Sequence, residues 1–158
     1  MKLDMNVDIQ VLDKSFKGSI REVLTINEAT LTNEFVEQPS TFAWFAALSE
    51  MASAEVESKK MALSVLRANL DAEKRTELSS SGKVTESMVD SAIVKDKRYQ
   101  VAQTELIESE RQLGILKSLV QALHQRKDML IQLGSTRRQE MSLADFSMDL
   151  KKIRENNR

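Results

Sequence analysis

From Tyr99 onward one pattern repeats for more than four heptads. Positions 99, 102, 106, 109, 113, 116, 120, 123, 127 and 130 read Tyr, Ala, Leu, Ser, Leu, Leu, Val, Leu, Lys and Leu. Eight of these ten are apolar, at alternating three- and four-residue steps. That spacing keeps one apolar stripe on one side of an α-helix and is a coiled-coil seam. A stripe of this length cannot be buried by its own helix, so the chain must supply or recruit another. The same spacing recurs upstream at Val56, Leu63, Leu66 and Leu70, with Lys59 interrupting it.

Nothing breaks a helix between Thr41 and about Leu78, and the whole chain of 158 residues holds only 4 Gly and 1 Pro. The one clear turn signal in the middle is "SSSGK", Ser79 to Lys83, after which Thr85 can cap a second helix that runs to Gly134, with a soft spot near Lys95–Asp96. Two amphipathic helices joined by a short Ser/Gly turn form an antiparallel hairpin. The expected fold is therefore all-α: a long helical hairpin over 39–134 with its turn near 79–84, an N-terminal arm and helix over 1–38, and a short assembly helix over 135–158.

The ends carry weaker signals. "LDMNVDIQVL" alternates apolar and polar residues, as a short strand or extended arm does, but no partner strand is evident. Helical spacing begins at Ile20 and continues through Val23, Leu24, Leu31 and Phe35. Pro39 should end or bend that helix, leaving Ser40 and Thr41 to cap the next. Beyond Gly134, Ser142 and Asp145 fit a capping box, and Leu143, Phe146, Leu150 and Ile153 make one apolar stripe that either folds back on the hairpin or, as favoured, docks on a neighbouring subunit for oligomerisation. The hairpin alone leaves "FAWFAAL" (42–48) thinly covered, and self-assembly is the expected remedy.

The bulk numbers bound the function. With no cysteine there are no disulfides or thiolate metal sites. The longest apolar run, Phe42 to Leu48, is far short of the ~20 residues that cross a bilayer, and no secretory h-region is present. A soluble cytoplasmic protein without membrane contact is expected. The single histidine, His124, has no second ligand at metal spacing and sits beside the seam, while the acids mostly neighbour Lys or Arg. No phosphate loop or nucleophile motif appears, so neither catalysis, a cofactor nor a metal is expected.

The stretch "EVESKKMALSVLRANLDAEKR" (55–75) places Lys60, Arg67 and Lys74 one heptad apart, although the net charge is only −1. Two accounts are open. The cations cover the seam with their stems and pair with the other helix, Arg67 opposite Asp96 and Lys60 opposite Gln103. Alternatively Lys59, Lys60, Arg67, Lys74 and Arg75 contact the phosphates of a nucleic acid, with Arg126 and Lys127 as a second patch. A monomer would make few such contacts, and a symmetric oligomer would multiply them.

The single Trp in "FAWFAALSEMASAEVESKKMAL", the lysine pair followed by apolar residues, the downstream Arg, the Gly-containing turn and a second helix running into "ALHQRKDMLIQLG" resemble UvsY-type phage recombination mediators. The resemblance spans about Phe42 to Gly134. It implies a non-enzymatic helical protein that forms a ring-like homo-oligomer through its C-terminal helices and binds single-stranded DNA. Such a protein loosens the single-strand-binding protein and loads a RecA-like recombinase, here in a host bacterial cytoplasm. By position it assigns DNA contact to Lys59 and Lys60. Further basic residues of the family fall on Ser64 and Leu66, with Arg67 one step away. The rival reading is a helical scaffold or assembly chaperone that grips client helices and no nucleic acid.

Overall fold

The computed structural model describes residues 5–80 and 82–156, the last four by backbone alone. Two very long helices dominate: α2 (Leu31–Ser79) and α4 (Lys97–Asn156). They pack against each other as an antiparallel hairpin. At 1.5 Å per residue they extend roughly 70 and 90 Å. Before them come strands β1 (Asn6–Val11) and β2 (Lys14–Ser19), a five-residue helix α1 (Ile20–Leu24) and a single 3-10 turn (Glu28–Thr30); a short α3 (Glu86–Lys95) lies between α2 and α4. No helix among the described residues is long and apolar enough to cross a membrane.

The heptad seam is where the spacing places it. Leu106, Ser109, Leu113, Leu116, Leu123 and Leu130 are buried, whereas Lys127 at the same spacing is exposed. Opposite them α2 buries Phe45, Leu48, Ala52 and Val56. A second, smaller core of Leu70, Val89 and Ile93 closes the turn end, with Leu66, Val84 and Tyr99 against it. Thr85 caps α3 by accepting from the Met88 N–H, and the chain breaks at Asp96 before α4 begins.

The class is mostly helical, but it is not purely α. The alternating N-terminal segment is a strand with a partner: Val7, Ile9 and Val11 face inward, and Ile9 pairs with Phe16 across an antiparallel register. The two-residue turn carries Leu12 at φ 53°, a left-handed conformation that usually marks Gly or Asn. The second strand, "KSFKGS", has one large apolar residue and so shows no alternation to read. This hairpin lies on the helices, and its Phe16 meets Trp44 and Phe45 edge-on, with centroids 6.1 and 5.0 Å away. The chain's own N-terminus thus covers Phe45 of "FAWFAAL", while Trp44 stays 42% exposed.

Two expected boundaries are absent. Pro39 neither ends nor starts a helix; it lies inside α2, with Ser40 and Thr41 as mid-helix residues. Gln38 explains this: its side chain donates to the Leu123 carbonyl at 2.9 Å and so pins this stretch to α4 despite the missing proline N–H. Gly134 likewise does not stop α4, which carries Ser142 and Asp145 as interior residues rather than a capping box. A glycine inside a helix costs only about 1 kcal/mol. Here it admits a neighbour: a Cβ at 134 would lie 2.8 Å from Phe35 Cζ. The segment expected to be a separate assembly helix is therefore the far end of α4, where every described side chain from Thr136 to Lys152 is exposed.

Candidate nucleic-acid interface

The stripe of cations on α2 meets carboxylates along its whole length. Lys60 Nζ lies 3.2 Å from Glu57 and 3.6 Å from Glu110. Arg67 bonds Asp90 at 3.0 Å, and Lys74 reaches Glu77 at 3.0 Å and Asp96 at 3.5 Å. The partners differ from those a straight hairpin implies: Glu110 stands one heptad beyond Gln103, and Asp90 replaces Asp96 opposite Arg67. Helix α3 and the break at Asp96 take up chain at the turn, which slides the facing helix along and brings Asp96 to Lys74.

Lys59 is less exposed than its neighbour Lys60. It sits in the seam, where Nζ donates to Ser109 Oγ at 2.6 Å and pairs with Glu55 at 2.9 Å. Its apolar stem packs in the interface while the ammonium finds two buried-side partners. Arg75 is clamped by Asp71 at 2.6 Å and Glu86 at 2.5 Å, and these partners raise its pKa. At the same end Arg98 bonds both Glu73 (2.8 Å) and Asp96 (2.9 Å), and the Asp96 carboxyl is held well below its ordinary range by the hydrogen bond from Arg98. Spacing along one helix could not disclose this cluster, because its members come from α2, α3, the break at Asp96 and the start of α4.

The second expected patch splits in two. Arg126 is nearly buried and bonds Glu34, Gln38 and, at 3.3 Å, the Thr25 carbonyl. It ties the start of α2 to α4 and has no reach left for a ligand. Lys127 is half-exposed and, among the described residues, pairs only with its neighbour Asp128 at 3.3 Å. His124 packs edge-on against Phe42, with centroids 5.2 Å apart. Among the described residues no group of three or more acidic or His side chains is placed to hold a metal ion.

Of the seven cations, Lys60, Arg67, Arg75 and Lys127 remain accessible, Lys59 is partly so, and Lys74 and Arg126 are largely buried in the fold. Exposed ion pairs hold weakly and are screened by salt, so the accessible cations can exchange a carboxylate for a phosphate. Lys83 before α3, Lys95 at its last position and Lys97 just after it have no ion pair among the described residues and carry no such cost. Of the apolar residues assigned to oligomerisation, Leu143, Phe146 and Leu150 are exposed on the free end of α4, and the side chain of Ile153 lies outside the described residues. No protein-family model, curated protein or solved structure matches this chain.

Proposed function

We propose that this chain is a non-enzymatic, self-assembling protein that binds single-stranded DNA and acts as a recombination mediator. It would load a RecA-like recombinase onto DNA covered by single-strand-binding protein. The observation that carries the reading is the pair Lys60 and Arg67, accessible and one heptad apart on a rigid helix of 49 residues. A rigid helix fixes the spacing between cations, and copies of it in a closed assembly add phosphate contacts without adding net positive charge. The resemblance to UvsY-type mediators supplies the recombinase and the single-strand-binding protein as partners. Contact with bases would be slight, so binding would be electrostatic and indifferent to sequence.

One observation favours a second reading. Each of the seven cations already has a polar partner within the chain, as in a helical scaffold whose charges only solvate and register its helices. Titration of labelled single-stranded DNA at two salt concentrations separates the two. A mediator binds and weakens steeply with salt, whereas a scaffold binds at neither. For the mediator, Lys60→Ala, Arg67→Ala and Arg75→Ala together should flatten the slope of log affinity against log salt by about 2, at roughly 0.7 per lost phosphate contact. Helicity and native mass should be unchanged. Wild-type binding by that triple variant would remove α2 from the interface.

A further inference from the structure

A groove runs between the first turns of α2 and the middle of α4. Its floor is Phe35, Pro39 and Phe42, which share one face of α2 by their i, i+4, i+7 spacing. Gly134 lies opposite, close enough that any side chain there would press on the Phe35 ring. Two cavities open along this line, one of about 250 Å³ against Pro39, Phe42 and Lys127, the other of about 540 Å³ against Phe35, Gly134 and Arg138. The rim is cationic. Lys127 pairs only with adjacent Asp128, and Arg138 has no ion pair among the described residues.

The same chain exposes a matching face. Leu143, Phe146 and Leu150 lie on one side of the free end of α4, all largely exposed. Asp149 lies at its edge, about 60° round the helix from Phe146, and Asp145 stands one turn earlier and further round; neither has an ion pair among the described residues. Phe35 to Phe42 and Leu143 to Leu150 each cover seven residues, about 10 Å of helix. The stripe cannot turn back into its own groove, because α4 is one unbroken helix from Lys97 to Asn156.

We propose that the groove of one copy receives the C-terminal stripe of another. Leu143, Phe146 and Leu150 would cover Phe35, Pro39 and Phe42, with Asp149 at the cationic rim of Lys127 and Arg138 and Asp145 adding negative charge behind it. The contact joins two different surfaces, so it propagates head to tail into a ring or a filament rather than a closed twofold dimer. This deepens the self-assembly in the reading above and rests on it; a bundle made only of C-terminal helices would leave the groove empty.

Charge exchange on the full-length protein tests it, with native mass and helicity as readouts. Lys127→Glu with Arg138→Glu, and separately Asp145→Lys with Asp149→Lys, should each weaken assembly by about tenfold or more. All four changes in one chain, or an equal mixture of the two double variants, should restore it, which misfolded variants could not do. Wild-type mass in either double variant would overturn the groove while leaving self-assembly standing. A folded quadruple variant that stays dissociated would show that the two charge sets do not face each other. A wild-type monomer would remove both the inference and the self-assembly beneath it.

Discussion

Arg126→Ala separates a fold-holding cation from a DNA-binding one. Arg126 is 9% exposed and its partner Glu34 14%, so removing the guanidinium leaves a carboxylate largely shielded from water. Breaking such a pair from one side costs about 3–5 kcal/mol. Two details place this case near the lower end. Glu34 keeps a hydrogen bond from the Asn27 N–H at 3.1 Å, and Arg126 Nε is already buried without a partner. A loss of about 3 kcal/mol is a factor of roughly 100 in the folding equilibrium. Urea unfolding followed by circular dichroism should show it as a lower midpoint, measured at one protein concentration because assembly shifts apparent stability. Glu34→Leu with Arg126→Met removes both charges and should recover most of the loss. Without urea, folded Arg126→Ala should bind DNA nearly as wild type does. An unchanged midpoint, or lost DNA binding in the folded variant, would refute the assignment of Arg126 to the fold.

Ile9→Ala should cost about 2–5 kcal/mol, since Ile9 is fully buried between the strand hairpin and the helices; Trp44 fluorescence during urea unfolding reports it, because Phe16 on the paired strand touches that ring. Acid should loosen the ion pairs. Glu108 is held at about 2 rather than 4.5, chiefly by its hydrogen bond from Arg111, and Glu73 and Glu86 are lowered by Arg98 and Arg75. Lowered carboxylate pKa values stabilise the fold above the ordinary range, and that contribution disappears as pH falls from about 4.5 to 2. Thermal melts across that interval should decline, less so in high salt; a flat profile would refute the pairing. Gly134→Ala gains about 1 kcal/mol of helix propensity but pushes Phe35 aside, so helicity should persist while native mass falls.

The two long helices and the turn between them were legible because a seven-residue apolar repeat has few other physical solutions. The strand hairpin was half legible: "NVDIQV" alternates, but "KSFKGS" and the Leu12 turn lack the residues that advertise a strand or a tight turn. Pro39 and Gly134 misled for a shared reason. Local propensity at each is worth a few kcal/mol at most, and the burial of Phe45 and Leu48 against α4, together with the Gln38–Leu123 bond and the Phe35–Gly134 contact, outweighs it.

The cations divide in the same way. That Lys60, Arg67 and Lys74 share a face follows from 3.6 residues per turn alone. Which of them stay accessible depends on what the facing helix presents, and that register was set by α3 and the break at Asp96. Periodicity by itself determined the helices, their apolar faces and their antiparallel return. Only the tertiary structure decided that Arg126 is tied into the fold, that Lys59 meets Ser109 and Glu55, that the N-terminus covers Phe45, and that the end of α4 stands free. A helix repeat records which side of the helix is apolar, but not what lies against that side.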